Sequence, residues 1–230
     1  MLEELKQQVC QANLRLVSEG LVIQTWGNVS GVDREGGHVV IKPSGVSYDG
    51  MSAEQMVVVS LETGAHVEGD LRPSSDTPTH LELYRAFPSI GGVVHTHSLY
   101  ATAWAQARKE IHPFGTTHAD YFHGPIPCTR EMTDAEIDRA YEAETGKVIV
   151  ERFAELKPEH LPGVLVAHHG PFAWGADADD AVFHAVIVEH LAKLASATSA
   201  IEGYPRAIGG VLLDKHFLRK HGPDAYYGQG

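Results

Sequence analysis

Apolar residues recur at Leu2, Leu5, Val9, Ala12 and Leu16, the spacing of one helical face, and Gly20 stands where such a helix would stop. The pattern then changes to short β-prone runs at 21–26, 38–42 and 56–61, divided by Gly36-Gly37 and Pro43-Ser44-Gly45. No helix of standard length separates these runs, so antiparallel neighbours are expected. Ser52-Ala-Glu-Gln55 has the form of a capping box on a single helical turn. Thr77-Pro78 reads as an N-cap followed by proline at the first helical position, predicting a helix over 78–87. A strand is predicted over Gly91–His97, with Ser98 capping a helix over about 99–108. A second capping box, Thr133-Asp-Ala-Glu136, opens a long helical region that Gly146 should interrupt. Residues 163–169 form an apolar run ending in histidine and read as a buried strand. Asp177 precedes a helix over 179–200, and a last helix covers 210–221, closed by Gly222. Helices on both sides of a strand-rich middle predict an α/β protein with three layers, α/β/α. Nothing resembles a linker or a repeat, so residues 1–230 are expected to form one domain.

Composition narrows the function classes. A net charge of −12 argues against a nucleic-acid footprint. No apolar run is long enough to span a membrane and no signal-peptide pattern opens the chain, so a cytoplasmic protein is expected. Cys10 and Cys128 lie far apart and neither belongs to a CxxC pair, which disfavours a disulfide framework and a cysteine metal site. The fifteen histidines matter more, because a few of them fall at chemically suggestive places.

Gly91-Gly92-Val93-Val94-His95-Thr96-His97-Ser98 places two imidazoles one strand step apart, on the same face of a strand. A lone histidine there would read as a satisfied core residue; a pair at the end of an apolar strand is suited to one divalent cation. His168-His169-Gly170 ends a second apolar run on the same plan, and alternation allows only one of its two histidines to join the first pair. Periodicity does not say which. Pro73-Ser74-Ser75-Asp76-Thr77 and Lys42-Pro43-Ser44-Gly45 supply hydroxyls, backbone N–H groups and an ammonium, the materials of an anion cradle. Ordinary turn formation and, for Asp76, a favourable charge at a helix start account for the same residues.

These runs occur in a fixed order with Trp26-Gly27-Asn28-Val29-Ser30, Gly115-Thr116-Thr117-His118-Ala119-Asp120 and the tail Ala225-Tyr-Tyr-Gly. From end to end the chain resembles the class II aldolase/epimerase family. The resemblance implies a central mixed, mostly antiparallel sheet. It implies zinc, one per subunit, bound by Asp76, His95, His97 and His169, at a site that manganese or cobalt could also occupy. Gly27, Asn28, Ser44, Gly45, Ser74 and Ser75 would line the pocket for a substrate phosphate. The implied activity is interconversion of L-ribulose 5-phosphate and D-xylulose 5-phosphate, as used in arabinose and ascorbate-type pathways. Asp120 and Tyr227 would be the proton-transfer groups, with His216 beside the substrate. Tyr227 would come from a neighbouring subunit of a homotetramer with interfacial active sites. Two alternatives stand: an aldolase of L-fuculose or L-rhamnulose 1-phosphate, whose family members carry glutamate where this chain has Asp76, and a non-catalytic assembly domain like the adducin head, which lacks the zinc set.

Overall fold

The computed structural model describes residues 2–227. Seven strands form one sheet in the order β4-β3-β2-β1-β5-β7-β6. They are β1 (Asn28–Asp33), β2 (His38–Ile41), β3 (Val57–Ser60), β4 (His66–Glu68), β5 (Gly92–His95), β6 (Gly163–Leu165) and β7 (Pro171–Gly175). Every pairing within it is antiparallel. The parallel contact among the described residues is the isolated bridge between Cys128 and Leu165.

Side-chain alternation gives the sheet two buried faces. Val40, Val58, Val94 and Ala173 face a core closed by α1 (Leu2–Ser18) and the first half of α6 (Ala178–Glu202). Val39, Val57, Val59, Val93, Phe172 and Trp174 face a second core. It is closed by α2 (Thr77–Ala86), α3 (Leu99–Ala107), α5 (Asp134–Arg152) and the second half of α6. Two short helical pieces complete the α-layers, α4 (Thr116–Ala119) and α7 (Gly210–His221). The three-layer α/β/α arrangement expected from the helix and strand pattern is the one observed.

Several local expectations are corrected. The run 21–26 is not a strand: it turns at Gln24, whose φ is 56°, and the strand begins after it, at Asn28. The 163–169 run keeps only Gly163–Leu165 in the sheet, and residues 166–170 turn back toward β7, with φ 64° at His168. Gly146 does not interrupt α5. The break is at Ala140 (φ −167°, ψ 71°), and Gly146 lies inside the helix, where a Cβ would stand 2.6 Å from Cβ of Glu82 on α2. That glycine serves close helix packing rather than termination. The N-cap of α2 is Asp76, one residue before the expected Thr77, and its side chain makes no cap bond. Ser98 likewise makes no side-chain cap bond on α3. The Glu189 carboxylate on α6 instead accepts from the N–H groups of Tyr100 (2.9 Å) and Ala101 (2.8 Å). It thereby satisfies orphan donors at the end of the helix that follows His97.

The start of β5 is pressed against the start of α6. A Cβ on Gly92 would lie 2.2 Å from the backbone oxygen of Asp177 and 2.6 Å from the nitrogen of Ala178. Because the opposing atoms are backbone, they cannot swing aside. Gly92→Ala is expected to cost about 3 kcal/mol of stability by forcing β5 and α6 apart. Chemical denaturation checks this, and a midpoint equal to wild type would refute it.

Candidate metal centre

β5 occupies the middle of the sheet, between β1 and β7, and ends at His95, opposite Asn28 on one side and Phe172 on the other. The His95 ring is 1% exposed and stacks on Phe172, centroids 4.2 Å apart and planes at 18°. Its Nδ1 lies 3.0 Å from the carbonyl oxygen of Pro171. That carbonyl can only accept, so Nδ1 carries the proton and Nε2 presents a lone pair. Nε2 stands 3.0 Å from Nε2 of His97, just past the strand end. The His169 ring lies 4.6 Å from that of His95 and 5.2 Å from that of His97. One nitrogen from each ring falls within 4.8 Å of the others.

The β6–β7 turn explains how His169 reaches this place. β6 is not a neighbour of β5; β7 lies between them, and the turn 166–170 carries His169 back over the end of β5. His168, with its left-handed backbone, turns outward to Glu131, 3.3 Å away. The turn thus brings His169, and not His168, to the His95–His97 pair.

The three imidazoles suit a divalent cation. Burial pushes His95 well below the usual histidine range, with His169 and His97 adding to the effect. Burial also lowers His97 and His169, against the pull of Asp76. All three are therefore neutral ligands at neutral pH. Ligands on a tetrahedral zinc with bonds of about 2.0–2.1 Å stand about 3.4 Å apart, within the 3.0 Å to at most 4.8 Å that separates the nitrogens of this cluster. Asp76 borders the same cleft, but its Oδ2 accepts from Asn28 Nδ2 at 2.7 Å, and it does not fall within the histidine cluster.

The cleft has a volume of about 550 Å³. Gly27, Asn28, Ser44, Gly45, Ser74 and Ser75 line it together with Asp76, His95, His97 and His169. Asn28 Nδ2 also donates to Ser74 Oγ at 3.1 Å, joining the β1 and Ser74–Asp76 walls. Lys42 also lines the cleft but is only 2% exposed. Its ammonium donates to the carbonyl of Val46 (2.9 Å) and sits 4.8 Å from the centre of the Tyr48 ring. Burial lowers it to about 8. The Tyr48 hydroxyl approaches the carbonyl oxygens of Trp26 (3.0 Å) and Gly27 (2.8 Å), so the two loops of the cleft are tied together from beneath. Residues not singled out from the sequence also line it: Tyr141 and Glu142, aimed inward just after the Ala140 break in α5. A helical pattern carries no signal of such a break.

Asp120, His216 and Tyr227 do not line this cleft. They gather at α4 and α7. The Asp120 carboxylate is 2.9 Å from His216 Nδ1, 2.8 Å from Arg219 and 3.6 Å from Lys220. Burial opposes ionisation of Asp120, but these three neighbours prevail and hold it below the usual range. The Tyr227 ring lies over Arg219 at 4.5 Å and Lys220 at 4.7 Å.

Beneath the histidines, His80 is fully buried, with Nδ1 2.7 Å from Ser30 Oγ, which in turn meets the Tyr84 hydroxyl at 2.8 Å. Burial lowers His80 to about 3, Asp76 opposing and His95 assisting. His118 is lowered to about 4, chiefly by burial. Both protonate near 6.5 in the unfolded chain, so protons favour unfolding below that pH and not above it. Each is expected to remove about 2 kcal/mol of stability between pH 7 and pH 5. Urea titrations of metal-free protein at the two values test this; equal midpoints would contradict it.

A covered antiparallel sheet with three imidazoles at the end of its central strand, facing a hydroxyl-rich cleft, defines an α/β protein with a histidine cluster that could hold a divalent metal. Residues 7–196 match the Class II Aldolase and Adducin N-terminal domain family, and the chain belongs to it. An L-fuculose 1-phosphate aldolase superposes with a TM-score of 0.77 at 25% identity, covering 93% of this chain and 94% of its own. YgbL from Klebsiella pneumoniae superposes with a TM-score of 0.72 at 24% identity, covering 94% and 98%. The L-fuculose-1-phosphate aldolase from Thermus thermophilus gives 0.67 at 21% identity, covering 89% and 100%. The last two are likenesses of fold. No helix among the described residues is long and apolar enough to cross a membrane.

Proposed function

We propose that this protein is a zinc-dependent epimerase that interconverts L-ribulose 5-phosphate and D-xylulose 5-phosphate. The observation that carries the reading is one cleft in which three imidazoles and the Asp76 carboxylate adjoin two loops rich in hydroxyl and backbone N–H donors. C4 of the substrate is not adjacent to its C2 carbonyl, so its proton is not acidic and direct inversion by deprotonation is disfavoured. Breaking the C3–C4 bond sends the electron pair toward C2 instead. A zinc ion held by Asp76, His95, His97 and His169 would supply Lewis acidity for the negative charge developing on the C2 and C3 oxygens.

The remaining work falls to the chain. Asn28, Ser44, Ser74 and Ser75, with the backbone at Gly27 and Gly45, bind the phosphate and hold the glycolaldehyde phosphate fragment after cleavage. Its carbonyl turns over and is attacked on the other face, which inverts C4. One group takes the proton from the C4 hydroxyl oxygen and another returns one to that oxygen on the opposite face. Asp120 and Tyr227 are assigned these two roles, and His216 a place beside the substrate. Within one subunit they stand apart from the cleft, so the reading requires a second copy to bring them in, as in a homotetramer with interfacial sites.

The fold likeness to L-fuculose 1-phosphate aldolase favours a second reading, aldol cleavage of a 1-phosphate with release of the aldehyde. Incubating zinc-loaded protein with L-ribulose 5-phosphate, and separately with L-fuculose 1-phosphate, distinguishes the two. D-xylulose 5-phosphate without accumulating glycolaldehyde phosphate is the expected result. Cleavage of the fuculose phosphate alone would establish the aldolase. No reaction with any ketose phosphate would leave the assembly domain.

A further inference from the structure

We infer that Tyr141 is a positioning residue for the metal centre, fixing the ring of His169 from outside the ligand set. The inference rests on the metal reading proposed above. His95 is oriented by the sheet itself, through Phe172 and the Pro171 carbonyl. His169 is less firmly set: it lies on the turn between β6 and β7 next to the left-handed His168, and its ring meets Phe172 only edge-on, at 6.0 Å. The side-chain partner of its ring in the structure is the Tyr141 hydroxyl, 3.3 Å from Nδ1, with the two rings 5.8 Å apart. A proton on Nδ1 donated to the phenol oxygen leaves the Nε2 lone pair for an ion, the same tautomer that Pro171 imposes on His95.

Tyr141 is itself held firmly. The extended backbone at Ala140 frees the chain from the preceding helical turn and aims Tyr141 and Glu142 into the cleft. The Thr145 hydroxyl donates to the Tyr141 carbonyl at 2.8 Å, and the Thr79 hydroxyl on α2 donates to the Glu142 carbonyl at 2.6 Å. Gly146 lets α5 approach α2 at the same level. The phenol is therefore braced against the helix whose N-cap is Asp76, so one rigid helix pair presents a carboxylate and an imidazole partner to the same place.

The test compares wild type with Tyr141→Phe, which keeps the ring and removes only the hydroxyl. Zinc affinity is measured by competition with a chelator, and the geometry of the site is read from the visible absorption of the cobalt-substituted protein. The variant is expected to bind zinc about tenfold to a hundredfold more weakly and to show an altered cobalt spectrum. Equal affinity and an unchanged spectrum, in a wild type that does bind zinc, would overturn the role of Tyr141 alone. Wild-type protein that takes up no zinc would overturn the metal reading and this inference with it.

Discussion

His95→Ala is expected to abolish stoichiometric zinc binding and to lower turnover of L-ribulose 5-phosphate about a thousandfold, the loss of several kcal/mol of charge stabilisation. Of the three imidazoles it is the one fixed on every side. Phe172 lies beneath it, Pro171 holds Nδ1, and Nε2 meets His97. His97 is exposed and His169 hangs on a turn, so neither neighbour can take its place. Metal analysis of the dialysed variant, beside its rate, checks the prediction. Retained zinc at one per chain with a wild-type rate would remove the histidine cluster from the chemistry.

The second large effect concerns the tail. Tyr227→Phe should bind zinc as wild type does and epimerise about 10²–10⁴-fold more slowly, the usual contribution of a positioned proton donor. Its surroundings, Arg219 and Lys220 beside Asp120, lie in a cluster apart from the cleft of the same subunit. Mixing therefore gives a sharper result than either variant alone. His95→Ala and Tyr227→Phe protein, each nearly inactive, should recover activity after subunit exchange, because about one site in four then receives an intact histidine cluster and an intact tail. No recovery from a mixture shown to have exchanged subunits would place the tyrosine outside the shared site.

The arrangement of layers was legible in the sequence because long helices and valine-rich strands carry strong periodicity. The errors concentrate near the cleft. β1, Asn28-Val-Ser-Gly-Val-Asp33, is a central strand, yet its polar residues do not look like one. Asn28 serves Asp76 and Ser74, and Ser30 serves His80 and Tyr84. The more apolar run before it reads as a strand but bends at Gln24. Asp76 was legible as a charge at a helix start, but its side chain is drawn into the cleft by Asn28 rather than turned to the helix. The Ala140 break lies in a helix that packs onto α2, and local propensity carries no sign of it. His95 and His97 were legible together because they lie two residues apart in the chain, although the strand expected to reach His97 ends at His95. Periodicity alone could not separate His169 from His168; the family resemblance implied His169, and the turn between β6 and β7 is what carries that side chain to the pair.

The separation in sequence between the two histidine-bearing segments has a consequence for how an ion would enter. His95 and His97 sit together in the chain, but His169 reaches them only after β7 has docked along β5. A chain in which that pairing has not yet formed offers a cation two imidazoles, and the third arrives with the β5–β7 pairing. Metal uptake should follow native closure rather than guide it, leaving the refolding rate nearly unchanged while slowing unfolding. Free zinc at about a thousand times its dissociation constant would then add about 4 kcal/mol to the native state. An ion bound there would work as a latch on a door that the chain has already shut.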